Sequence, residues 1–182
     1  MFSLTLTANN LQGTIAADTL LGLEDLRVLN MSSNLIEGTI PLEIGSLISL
    51  LTLDLSSNGL TGTVPPQIGA LVHCNSISLA SNYLSSTIPP SISGLENLEV
   101  LSLYKNSITG DLEGIDFYRM KRLKALNVDE NDLNGELVDF PPSLVDLRLG
   151  RNNFHGHIDS LFHLTNLVTL EVDNNAFSGT IR

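Results

Sequence analysis

Three short stretches carry residue types that chemistry uses. His155-Gly156-His157 sets two imidazoles two residues apart, with His163 nearby in sequence. Histidines at close spacing are what zinc and related ions bind. No Cys or acidic residue completes a ligand spacing, and the pair lies in a stretch that reads as a turn, so solvated histidines are expected there. Asp129-Glu130-Asn131-Asp132 has the acid density of a calcium loop. Leu133 stands where that loop requires a ligand and Gly135 comes one place late, so the register fails. Cys74 is the sole cysteine and allows no internal disulfide. It fills a slot that Leu fills elsewhere, which makes it a buried apolar residue rather than a nucleophile. No serine has the G-x-S-x-G context, the glycines form no phosphate loop, and no kinase signature is present. These residues point to no catalytic group, no metal and no cofactor.

Recognition chemistry remains. Tyr and Arg dominate binding hot spots, and Tyr104, Lys105, Asn127, Asp129, Arg148, Arg151, Glu171 and Asp173 are the candidates for a partner-binding surface. What brings them to one face is a repeat. Leu50-Leu51-Thr52-Leu53-Asp54-Leu55-Ser56-Ser57-Asn58-Gly59-Leu60 reads L-x-x-L-x-L-x-x-N-x-L, and the string recurs from Met1, Leu26, Cys74, Leu98, Leu123, Leu144 and Leu167. Its asparagines are Asn9, Asn34, Asn58, Asn82, Asn106, Asn131, Asn152 and Asn175, spaced 25, 24, 24, 24, 25, 21 and 23 residues apart. In L-x-L the period of two sends both Leu to one side of a short strand and the residue between them to the other. Stacking the turns makes a parallel sheet over a continuous Leu core. The Asn amide, at the strand end, can bond the backbone of the neighbouring turn and form a ladder.

The residue inside L-x-L runs Asn30, Asp54, Ser78, Ser102, Asn127, Arg148, Glu171. Turns two to four face outward with small hydroxylic residues such as Ser32, Ser56 and Ser81, and later turns with Tyr and charge. Charge follows the same division. Residues 1–95 hold six acids and one base, and residues 96–182 hold fourteen acids and eight bases. The binding footprint is expected at Tyr104, Asp129, Arg148 and Arg151, and a solvated face of mutually satisfied charges is the alternative.

After the Asn, three turns read alike: Asn34-x-Ile36-x-Gly38-x-Ile40-Pro41, Asn58-x-Leu60-x-Gly62-x-Val64-Pro65 and Asn82-x-Leu84-x-Ser86-x-Ile88-Pro89. On these residues the chain resembles the plant-specific class of leucine-rich repeats, with its L-x-G-x-I-P hallmark and 24-residue period. Many receptor-kinase ectodomains, receptor-like proteins and polygalacturonase inhibitors are of that class. The resemblance covers essentially the whole chain. It implies an α/β solenoid, a right-handed superhelix of about eight repeats with a parallel sheet on its concave face and irregular or 3-10 arcs on the convex side. One domain, 1–182, is expected, with regular repeats over 26–97 and divergent ones over 98–182. Gly110-Asp111-Leu112-Glu113, Gly135-Glu136-Leu137-Val138 and Gly156-His157-Ile158-Asp159 lack the G-x-I-P arc, and the short turn holds Phe140-Pro141-Pro142, where the curvature should change.

Met1 sits in a slot that Leu fills elsewhere, and Ile181-Arg182 falls in mid-turn, so the first and last turns read as incomplete and the chain as a segment of a longer array. The net charge of −11 argues against nucleic acid and against an anionic membrane surface. No apolar run approaches a membrane span, and the first residues lack the pattern of a secretory signal. Asn30-Met31-Ser32 is the single glycosylation sequon. The expected function is non-enzymatic recognition of a protein or peptide through the concave face. The resemblance places that in a receptor-like parent anchored in a membrane, with this segment outside the cell. A cytoplasmic scaffold and a secreted inhibitor of another protein are the alternatives.

Overall fold

The computed structural model describes residues 2–180; the expectations that rest on Met1, Ile181 and Arg182 lie outside the described residues. Sixteen strands, numbered along the chain, form two parallel eight-stranded sheets. The L-x-L segments are the odd strands: β1 (Ser3–Thr5), β3 (Val28–Asn30), β5 (Thr52–Asp54), β7 (Ser76–Ser78), β9 (Val100–Ser102), β11 (Ala125–Asn127), β13 (Asp146–Arg148) and β15 (Thr169–Glu171). Each pairs with its repeat equivalent, so Leu29 faces Leu53, Leu53 faces Ile77 and Leu126 faces Leu147. This is the concave sheet. Its inward side chains are buried from Leu29 to Leu147 and partly exposed at the two ends, at Leu4 and at Leu170, which is 37% exposed.

The second sheet was not foreseen. The residues after each Asn, read above as turn, form the even strands: β2 (Gln12–Thr14), β4 (Leu35–Thr39), β6 (Gly59–Gly62), β8 (Tyr83–Ser86), β10 (Ser107–Gly110), β12 (Asp132–Glu136), β14 (Asn153–His157) and β16 (Ala176–Ser178). Ile36, Leu60, Leu84, Ile108, Leu133 and Phe154 point inward from them into the same core. Unlike the concave sheet, this one is sheared: Thr39 pairs with Thr61 and not with its repeat equivalent Thr63. The shear explains the Gly of the motif. Gly38 has φ +79, and a Cβ there would lie 2.9 Å from the Thr14 methyl, so both backbone and space exclude a larger residue. Ser86 occupies the equivalent place at φ 67 and carries the strain that Gly avoids.

Proline then starts the arcs. Pro41, Pro65 and Pro89, all extended, precede the 3-10 helices η1 (Leu42–Ser46), η2 (Pro66–Ala70) and η3 (Pro90–Gly94). Their Ile44, Ile68 and Ile92 close the core from the convex side. Later arcs are unlike one another. η4 (Phe117–Arg119) has three residues and η5 (Ile158–Leu161) four, and no helix lies between β12 and β13. In that short turn Phe140 is fully buried, its ring 5.2 Å from Phe117, so two aromatics fill space that a regular arc fills with aliphatics. Among the described residues the sole α-helix, α1 (Ala17–Leu20), is one turn long, and no helix could cross a membrane.

The ladder forms as expected. The buried amide of Asn82 donates to the carbonyls of Leu55, Leu79 and Ala80 at 3.1, 3.1 and 3.2 Å and accepts from the Leu60 N–H at 3.0 Å. One side chain thus satisfies four backbone groups in two turns. The residue just before each Asn, from Ala8 and Ser33 to Arg151 and Asn174, is left-handed with φ between 50 and 56. Cys74 is buried as expected, and burial pushes its thiol up to about 11.

Candidate binding face

Two rows of outward residues matter on the concave sheet. The first lies between the inward pairs: Thr5, Asn30, Asp54, Ser78, Ser102, Asn127, Arg148 and Glu171, aligned strand by strand. The second follows the strand ends. There the backbone runs from turn to turn, Ser81 N–H to Tyr104 C=O, Lys105 to Asp129, Glu130 to Gly150 and Arg151 to Asp173, at 2.7 to 3.1 Å. Tyr104, Asp129, Gly150 and Asp173 therefore stand side by side, and Lys105, Glu130 and Arg151 stand beside them.

In turns two and three the outward Asn and Asp bond to hydroxyls and backbone N–H groups. The Asn30 carbonyl accepts from Thr7 at 2.9 Å and from the Ser32 hydroxyl at 2.7 Å, and Asp54 takes the Ser56 hydroxyl at 2.6 Å. From turn six onward ion pairs join one turn to the next. The Arg148 guanidinium lies between Asp146 (3.0 Å) and Glu171 (2.8 Å), and these carboxylates, Asp146 first, raise its pKa further. Arg151 pairs with Glu130 and reaches Asp173 at 4.0 Å. Asn127 accepts the Asp129 N–H at 3.0 Å. Asp129 in turn accepts from the Gly150 N–H. Its carboxyl is pushed up, chiefly by burial and then by the nearby Glu171 and Asp173 charges, against the opposing effects of that N–H and Arg148. Seven of the eight candidates sit in or beside this array, with Tyr104 half-buried at its edge. Lys105 is exposed at φ 55, and among the described residues it pairs with no carboxylate.

Gly150 is the member that side-chain chemistry could not reveal. A Cβ there would lie 2.6 Å from a carboxylate oxygen of Asp173 and 3.3 Å from one of Asp129. Its missing side chain is the notch into which two acids lean. The signal was present as Leu149-Gly150-Arg151, a Gly where neighbouring turns carry Tyr104, Asp129 and Asp173. His155 and His157, read as turn residues, lie instead on β14 of the second sheet. Both are exposed, and His157 is 3.8 Å from Asp159.

Stacked parallel strands, an Asn ladder and 3-10 arcs define a leucine-rich-repeat solenoid. The leucine-rich-repeat family profiles match residues 73–133, 25–47 and 49–71, and the chain belongs to the leucine-rich-repeat family. No curated protein sequence matches it. Among solved structures it resembles the plant peptide hormone receptor RGFR1 in complex with RGF2, at 34% identity and TM-score 0.90. That match covers 100% of this chain and 29% of the receptor chain. A protein of the BIR3–SERK2 complex from Arabidopsis thaliana is 35% identical with TM-score 0.63, over 72% of this chain and 69% of that one. A plant ice-binding protein is 28% identical with TM-score 0.70, over 98% of this chain and 66% of that one.

Proposed function

We propose that this chain is a recognition segment of a receptor-like leucine-rich-repeat protein. It binds a protein or peptide through the concave face of turns five to eight, with Tyr104, Lys105, Asn127, Asp129, Arg148, Arg151, Glu171 and Asp173 as contacts and no catalytic step. The observation that carries this is the change along one sheet, from small polar side chains bonded to hydroxyls and backbone to an Arg and carboxylate array ion-paired between turns beside Gly150. Such an array is pre-shaped, so a partner binds with little ordering cost. The solved likeness to a peptide hormone receptor supports a peptide ligand and, in that setting, an extracellular location. The test selects peptides from a random display library on the immobilised chain and measures their affinity for a Tyr104→Ala/Arg148→Ala double variant. At least tenfold weakening is expected; unchanged affinity overturns the footprint.

One observation favours a second reading, ice binding. Thr14, Thr39, Thr63 and Thr87 recur at one place in four consecutive turns, all exposed beside the second sheet. The shear is constant between these early strands, so each turn offers a methyl and a hydroxyl at a regular step. Slowed ice recrystallisation that is lost on Thr63→Tyr and kept in the Tyr104→Ala/Arg148→Ala variant would establish this reading in place of the first.

A further inference from the structure

The row that begins each concave strand has a chemistry of its own. Arg27, Leu51, Asn75, Glu99, Lys124, Val145 and Val168 are joined by one backbone bond per turn, each N–H donating to the preceding residue's carbonyl at 2.8 Å. Along its later part runs an open cleft of about 530 Å³. One wall is basic, with Lys121, Arg122 and Lys124, all exposed. The other is aliphatic, with Val145 39% and Val168 84% exposed. Glu99 is the single acid in the lining, and it is spent: Lys124 lies 2.7 Å from one oxygen and Arg122 3.4 Å from the other. These cations, Lys124 first, hold its carboxyl below the usual range. Among the described residues Lys121 pairs with no carboxylate. Three cations against one carboxylate form a positive wall on a chain of net charge −11.

We infer that this rim cleft docks an extended acidic segment of a partner protein, one that carries a branched aliphatic residue shortly after its acid. Charge complementarity names the acid, and the exposed valine pair names the aliphatic. Spacing links them. Lys124, Val145 and Val168 immediately precede consecutive strands about 4.8 Å apart, so Lys124 to Val168 spans roughly 10 Å, about three residues of an extended segment. The segment lies across the strands, with its acid over Lys121 and Lys124 and its aliphatic on Val168. Upstream the groove continues past Glu99 and Arg122 into a stretch of about 500 Å³ that includes Arg27 and His73, which leaves room for a longer partner. This site is on the opposite rim from Tyr104 and Arg151, so it stands or falls apart from the footprint proposed above.

The experiment uses the intact chain and a random decapeptide display library, with selected peptides measured by fluorescence anisotropy. One class of selected peptides is expected to carry Asp or Glu followed about three places later by Val, Ile or Leu. That class should bind at least tenfold more weakly to Lys121→Glu/Lys124→Glu and to Val168→Asp. It should bind equally to Tyr104→Ala/Arg148→Ala, and it should weaken as salt is raised. All these positions are exposed or half-exposed, and circular dichroism confirms that each variant folds. Selection of basic peptides alone, which the net charge by itself would favour, overturns the proposal. So does equal binding of the acidic class to the rim variants, or the absence of an acidic class.

Discussion

Turns two to four and turns five to eight share their inward residues and differ in what surrounds them. In the early turns the arcs are three near-copies, each Pro-started and five residues long, and the outward Asn and Asp bond to hydroxyls and backbone N–H groups. In the later turns no two arcs agree, and the outward groups bond across turns, through Arg148, Arg151 and Asp129. A solenoid's stability is a sum of nearest-neighbour terms. The inward Leu and the Asn ladder supply those terms in both regions, so the later turns can vary their arcs and faces without losing the stack. On the proposed function, the regular turns extend the array and the irregular ones carry the binding face.

Substitutions can test that division, and urea unfolding reads each of them. Phe140→Ala should be the most damaging, at about 3–5 kcal/mol, because the irregular turn has no arc helix to collapse into the void beside Phe117. Asn82→Ala should cost about 3 kcal/mol by orphaning four backbone groups, and Asn175→Ala, with water at the open end to replace its partners, about 1 kcal/mol. Equal costs would mean that the ladder is not graded by burial. Gly150→Ala should cost about 2 kcal/mol, since Asp173 and Asp129 must move aside; a neutral result would remove the notch. Ser86→Gly should stabilise by about 1 kcal/mol by relieving the left-handed backbone.

The smallest effect is a pH dependence. Asp129 has its carboxyl pKa raised in the folded chain, so folding takes up protons there and stability falls as pH rises from the usual Asp range through the raised value. Asp129→Asn removes that loss. The variant should melt slightly above the parent at pH 7, and the gap should close as pH falls below the usual Asp range. A gap that does not change with pH would place the ionisation elsewhere.

Much of this was legible in the residues. The period-two Leu pairs and the Asn every 21–25 residues lead to the parallel sheet and the ladder, the Pro before each early arc marks where the arc starts, and the 3-10 form of the arcs came from the family resemblance. The second sheet was hidden because Gly38, Gly62 and their equivalents interrupt the alternation and each strand shows few inward apolar residues. The left-handed residue before each Asn was hidden because the backbone sets it, and Ala, Ser, Lys, Glu, Arg and Asn all occur there. Of the candidate face, the residue types could be read but not their pairing, since Arg148–Glu171 and Arg151–Glu130 join residues more than twenty positions apart. The cleft at the other rim was missed for the same reason, as its valines and lysines come from different turns.

The most direct test of the division is a calorimetric titration of one peptide, selected on the intact chain and confirmed to need Arg148, against two variants. One replaces Ser32, Ser56 and Ser81 with Ala in the early turns, and the other replaces Tyr104 and Arg151 with Ala in the later ones. The account predicts unchanged affinity for the first and at least tenfold weaker binding for the second. Equal weakening in both, or loss in the first alone, would contradict it.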